Sequence, residues 1–189
     1  TTGTYAIKDF GANDYYNLTF TDANASKITL QLANTNTLTV AGNLTLSSGS
    51  GTFDNATYDE AVNVTGDVTM DNTRTDMGDA TWTVSGSFDN YHVTTFNRNA
   101  STLIMNGDNK NFVSHNYTDI NNFTIPESVT INVAAAGYLA DIRGILQVDG
   151  TLNFVSGEGL MLTGGELRLS STGSITGTGG DFYIYNQSK

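Results

Sequence analysis

The stretch "LTVAGNLTL", Leu38 to Leu46, alternates apolar and polar residues, breaks at Gly42, and alternates again. "VNVTGDVTM" from Val62, "WTVSGSFDN" from Trp82 and "LQVDGTLNF" from Leu146 repeat it. Leu103, Met105 and Gly107 form a partial copy. Phe123, Ile125, Val129 and Ile131 form another, with Glu127 in place of glycine. The central residues are Gly42, Gly66, Gly86, Gly107, Glu127 and Gly150, at steps of 24, 20, 21, 20 and 23 residues. Such a steady return marks a repeat array. Period-two alternation inside each copy makes its elements strands.

About 21 residues suit one coil of a parallel β-helix (β-solenoid), with coils stacked at ~4.8 Å. Each copy then holds two short strands joined at the glycine, where a Cβ would obstruct a tight corner. Leu38, Val62, Trp82, Leu103, Phe123 and Leu146 are expected in one inward column, and Val40, Val64, Val84, Met105, Ile125 and Val148 in a second. Upstream, Leu18 and Phe20 read as the preceding members of these columns. Downstream the copies tighten, with "LMLTGGELRL" from Leu160 and "GSITGTGGDFYIY" from Gly173. Right-handed winding is the default for parallel crossovers. The alternative is a β-sandwich or jelly roll, which offers no reason for one signature to return at near-constant spacing.

The chain of 189 residues reads as a single solenoid domain over 1–189, with 1–15 and 181–189 as terminal capping or assembly segments. The stretch 132–145 is an expected excursion, in which Ala134–Ala136 and Leu139–Ile142 suit a short helical turn. Neither terminus resembles a polar cap, so both ends of the stack are expected to be covered by another subunit or by more of the same protein, the alternative being that each terminus folds back on its own coil. The chain opens on "TTGTYAIKDF", with neither Met nor a secretory pattern, as a processed product, an excised piece or a chain whose initiator Met was removed before a small Thr would.

The net charge of −11 argues against nucleic acid, whose phosphates it repels. The absence of cysteine removes disulfides, thiolate catalysis and Cys-based zinc sites. No apolar run is long enough for a spanning helix.

Carboxylates concentrate at Asp54, Asp59, Glu60, Asp67, Asp71, Asp76, Asp79 and Asp89. Asp67 and Asp89, at outward positions of adjacent coils, could act as acid and nucleophile on a glycosidic bond. No neighbour forces them into a buried setting, so solvated surface is the plainer reading. Asp54, Asp59 and Glu60 are the calcium candidates. No other cofactor is implied. His92 and His115 are one repeat apart but lack a third ligand. "GTGGDF", Gly177 to Phe182, has the composition of a single glycine-rich turn. Sequons at Asn17, Asn24, Asn43, Asn55, Asn63, Asn99, Asn116, Asn122 and Asn186 are glycosylation candidates if the chain is exported in a glycosylating host. Tyr15 with Tyr16, Tyr91 near Phe96, and Tyr183 with Tyr185 are aromatic groups suited to sugar stacking or to a subunit seam.

The glycine-centred repeats, with "STLIMNGDNKNF" from Ser101 and "YTDINNFTI" from Tyr117, resemble the β-helical segments of bacteriophage tail fibres and spikes, and of prokaryotic surface adhesins. The resemblance is one of repeat style and runs from about Tyr16 to Tyr185. It matches no catalytic motif. It implies a rigid, non-enzymatic structural or adhesive subunit of an extracellular, cell-surface or virion appendage. It also implies a homo-oligomer or fibre that contacts other appendage subunits or surface glycans. Two further classes stay open: a polysaccharide lyase or glycoside hydrolase built on a β-helix, and an ice-binding solenoid. The latter needs a regular Thr array, which Asn63, Ile104 and Gln147 interrupt.

Overall fold

The structure, a computed structural model, describes residues 3–8, 10–12, 14–22, 28–32, 36–49, 51–114, 119–134, 140–155 and 159–185, without the side chains of 22, 28–32 and 48. Among these residues there is no helix. The chain is a parallel β-solenoid of about 6 turns, roughly 21 residues apart.

Each coil carries three strands rather than two. The first face stacks Leu38–Val40, Val62–Val64, Thr81–Val84, Thr102–Met105, Asn122–Ile125, Ile145–Val148 and Glu166–Leu169. The second stacks Leu18–Asp22, Leu44–Ser48, Val68–Asp71, Phe88–His92, Lys110–Val113, Thr130–Val133, Thr151–Phe154 and Ser174–Gly177. The third face is split. Its first sheet holds Gly3–Ile7, Ile28–Leu32, Thr52–Asp54, Arg74–Asp76 and Thr95–Asn97. Its second holds Asp119–Ile120, Ala140–Ile142, Leu160–Thr163 and Phe182–Tyr185. These third strands lie between copies of the glycine-centred signature and vary in sequence, so the repeat does not announce them.

Both predicted columns form. Leu38, Val62, Trp82, Leu103, Phe123 and Leu146 pair in register along the first face. All six are at most 2% exposed. The column from Val40 to Val148 is at most 1% exposed. Aromatic rings fill the wider parts of the interior: Phe53 meets Trp82 edge to face at 5.8 Å, and Phe112 lies 4.8 Å from Phe123.

Three assignments change. Leu18 and Phe20 belong to the second face, opposite Leu44 and Leu46. The position before Val40 in its column is held by Tyr15, through an isolated bridge. The apparent tightening after residue 150 arises because Leu160–Thr163 is a third-face strand; the first face resumes at Glu166, with Leu146 opposite Leu167. Ala140–Ile142 is a strand and not helix, since all three residues are buried and pair with Asp119–Ile120 and Leu160–Thr163. Of the expected excursion, residues 135–139 lie outside the described residues.

The signature glycines are required by close approach. A Cβ on Gly86 would collide with the carbonyl of Gly66 in the coil before, and one on Gly107 with the carbonyl of Ser85. Neither glycine has a positive φ, so the constraint is the space between coils and not the turn conformation. Glu127 escapes it in a different turn: Ser128 takes φ 64°, the Val129 amide donates to the Pro126 carbonyl at 3.3 Å, and Glu127 points to solvent.

Val84→Asp places a charge in a column where the parent residue is 0% exposed. The expected loss is about 3 kcal/mol or more, read as a lower midpoint in chemical denaturation. A variant that unfolds at the parent's midpoint would show the register to be wrong.

Candidate functional site

Where a strand ends, the ladder between coils lapses and its amides need other acceptors. Asp, Asn and Ser supply them, each reaching the amide one coil further on. At the corner before the second face, Asn17 Oδ1 accepts from the Asn43 amide at 2.7 Å and Asn43 Oδ1 from the Asp67 amide at 3.0 Å. Asp67 Oδ1 accepts from the Ser87 amide at 2.8 Å, and Ser87 Oγ from the Asn111 amide at 3.2 Å. After the third face, Asp59 Oδ1 accepts from the Asp79 amide at 2.6 Å, and Asp79 Oδ1 from the Ala100 amide at 2.9 Å. Asp108 does the same for Thr130 at 2.8 Å.

The acidic cluster is therefore largely committed to fastening coils together. Asp67 is a corner residue preceding its strand, whereas Asp89 lies within one, opposite Thr69; the two are not stacked as a catalytic pair. Asp89 instead accepts from the Tyr91 amide at 3.0 Å. The calcium candidates diverge. Asp54 caps the turn through the Ala56 amide and the Thr57 hydroxyl, at 2.9 and 3.2 Å, Asp59 serves the next coil, and Glu60 is 2% exposed. Among the described residues no group of three or more acidic or histidine side chains could hold a metal. His92 is exposed, 3.6 Å from Asp71, and His115 lies outside the described residues.

Asn55 is corrected as a glycosylation candidate. It is 0% exposed; its amide nitrogen donates to the carbonyls of Glu60 at 2.8 Å and Met77 at 3.0 Å, and its oxygen accepts from the Glu60 amide at 2.9 Å. A side chain so enclosed has no room for a sugar. Asn17, Asn43, Asn63 and Asn99 are exposed and Asn122 is half-buried. Asn24, Asn116 and Asn186 lie outside the described residues. The outward column of the first face runs Thr39, Asn63, Thr83, Ile104, Thr124, Gln147 and Arg168, which is not an unbroken Thr array.

The densest charge lies where the third face breaks, between Thr95–Asn97 and Asp119–Ile120. Asp119 and Asp141 are register partners on neighbouring coils, a spacing of ~4.8 Å at which like charges repel. Two guanidinium groups offset this. Arg98 Nη1 stands 3.2 Å and Arg143 Nε 3.1 Å from the same Asp119 oxygen, and Arg143 Nη2 lies 2.8 Å from Asp141 Oδ2. The last contact is an ion pair without hydrogen-bond alignment. Asp141 follows the alternation of its strand and points away from the core, yet is 1% exposed. Burial lifts its carboxyl above the usual range, and the Thr163 hydroxyl and the Arg143 charge only partly counter this. Beside the cluster, Phe96, Asn97, Arg98 and Asn99 line an open hollow of about 300 Å³. Asn97 and Asn99 both turn their amides onto Asp76. The sequence reading passed over this group because its members are separated by about one coil each and belong to third-face strands it did not resolve. The signal was present as Asp54, Asp76, Asn97, Asp119 and Asp141, which recur at the coil period.

Two outcomes follow. Asn55→Ala strands the Glu60 and Met77 backbone groups and is expected to cost about 3 kcal/mol, measured by denaturant midpoint; folded chain from a glycosylating host should carry no glycan at Asn55 by mass spectrometry. A carboxyl whose folded pKa is raised favours the fold when protonated and opposes it once pH passes through the raised value. Asp141→Asn should therefore gain stability relative to the parent as pH rises from about 3 to about 7, and a constant difference in melting temperature across that range would refute it. The chain matches no protein-family model, no curated protein and no solved structure.

Proposed function

We propose that the protein is a non-enzymatic structural or adhesive β-solenoid subunit of an extracellular or virion appendage. One observation carries this reading: its Asp, Asn and Ser oxygens are spent on amides of the neighbouring coil, across 20 to 26 residues of sequence. A chain that commits its reactive side chains to rigidity is suited to bearing load or displaying a surface. The acidic surface, with net charge −11, keeps a strand-rich rod dispersed.

A second reading, a polysaccharide-cleaving enzyme, has one observation in its favour. Asp119 and Asp141 are stacked carboxylates in unlike settings, one half-exposed and one buried with a raised pKa, and such divergence separates an acid from a base. Against it, Asp141 is out of reach of solvent and two arginines occupy Asp119.

Immunogold electron microscopy of the producing cells or particles should place the label on surface appendages; label confined to the cell interior would reject the structural reading. The purified chain should release no reducing ends or unsaturated products from a panel of acidic and neutral glycans. Cleavage abolished by both Asp119→Asn and Asp141→Asn would establish the enzyme instead.

A further inference from the structure

The sequence holds one Asn-Gly pair, Asn106–Gly107, and one Asp-Gly pair, Asp149–Gly150. Both glycines are signature glycines, at the corner between the first and second faces. In such a pair the glycine nitrogen can attack the preceding side-chain carbonyl and close a five-membered imide, because the glycine has no side chain to shield it. A hydrogen bond from that nitrogen, or a side chain tied down elsewhere, suppresses the attack.

The corner engages most of the signature amides. Gly42 donates to the Tyr16 carbonyl, Gly66 to that of Gly42 at 2.9 Å, Gly86 to that of Gly66 at 3.1 Å, and Gly150 to that of Ile125 at 3.2 Å. Gly107 departs from the series: among the described residues its amide meets no hydrogen-bond acceptor. Val84 and Phe88 pair with Met105 and Phe112, so the corner of Gly107 is three residues longer than that of Gly86. Asn109 turns within it at φ 53°. The extra length takes Gly107 out of the amide ladder. The residue before it is ready for attack. Asn106 is exposed, and its side-chain carbonyl accepts from the Ser85 hydroxyl at 2.8 Å. Asp149, by contrast, is half-buried, and its carboxylate accepts from the Gln147 side-chain amide at 2.6 Å.

We propose that Asn106 is a site of spontaneous deamidation in the folded protein, activated by Ser85. The Gly107 nitrogen gives its proton to water and bonds to Asn106 Cγ. The Ser85 hydroxyl steadies the oxyanion that develops on Oδ1, as a donor already aimed at it. The Cγ–Nδ2 bond breaks, Nδ2 takes up a proton and leaves as ammonia, and the imide ring remains. Water then opens the ring at either carbonyl, leaving aspartate or isoaspartate at position 106. The product adds one negative charge to a chain of net charge −11. The fold cannot exchange the glycine, since a Cβ on Gly107 would collide with the Ser85 carbonyl. The close packing that demands glycine thus supplies the nucleophile. The inference goes beyond the structural reading of the protein and does not depend on it.

Peptide mapping of the purified full chain, held folded at mildly alkaline pH and sampled over time by mass spectrometry, tests this. The amide-to-acid mass gain should appear at Asn106 ahead of every other asparagine, with isoaspartate in part of the product, while Asp149 stays unchanged. Asn106→Gln, whose longer side chain would need a six-membered ring, should prevent the matching acidic species in ion exchange. Ser85→Ala should slow the reaction about tenfold in the folded chain, the worth of one hydrogen bond. In denaturant, where Ser85 is no longer held against Asn106, the same variant should react at the parent's rate. An Asn106 amide that outlasts the other asparagines in the folded chain, or a folded Ser85→Ala chain that reacts as fast as the parent or faster, would overturn the proposal.

Discussion

The corner amide is the constraint on which the rest of this fold depends. A parallel solenoid satisfies its strands by laddering each coil on the next, but before the second face and after the third the ladder is interrupted and an N–H faces the neighbouring coil without a strand partner. An unpaired amide there costs about 1–3 kcal/mol, and the cost recurs at every coil. Here the answer is a short polar side chain one coil earlier, as in the run Asn17, Asn43, Asp67, Ser87. The same geometry explains the glycines. Coils close enough for a side-chain oxygen to reach the next amide leave no room for a Cβ between Gly86 and the Gly66 carbonyl.

Acidity follows from this arrangement. A carboxylate accepts readily from amides and is short enough, as aspartate, to sit in a corner. Asp59 and Asp79, and Asp14 at the first coil, show the choice repeated. Stacked carboxylates repel, and the chain limits the cost locally. Asp76 is engaged by Asn97 and Asn99, and Asp119 and Asp141 by Arg98 and Arg143. Two of the protein's 8 basic residues are thus placed where two acidic ones meet. Asp141 still bears a raised pKa, because burial outweighs the arginine beside it.

Regular stacking has no internal reason to stop, so each end needs a distinct solution. At the first coil Asp14 and Tyr15 occupy the edge of Leu38–Val40 that another strand would take, while Gly3–Ile7 and Leu18–Asp22 are the outer strands of their sheets. Among the described residues of the last coil, Leu169 and Ile184 hold column positions and are 52% and 56% exposed.

The repeat alone determined the coil length, the parallel solenoid and the membership of two inward columns, because a period-two pattern returning at near-constant spacing can bury one face only by stacking on itself. Leu38 to Leu146 and Val40 to Val148 were legible for that reason. The third strand of each coil was not, since 52–54, 74–76 and 95–97 share little beyond their distance from the glycine. Leu18 and Phe20 were assigned to the wrong face because Leu-x-Phe alternates equally well on either. The roles of the polar residues were decided by tertiary structure. Nothing local distinguishes Asp67, bound to an amide 20 residues on, from a solvated aspartate, or Asn55, enclosed by Glu60 and Met77, from an exposed sequon. Arg98, Asp119, Asp141 and Arg143 become one cluster only when the coils stack. A side chain's polarity is written in the sequence, but its partner lies in another coil, and only the register between coils decides what it meets.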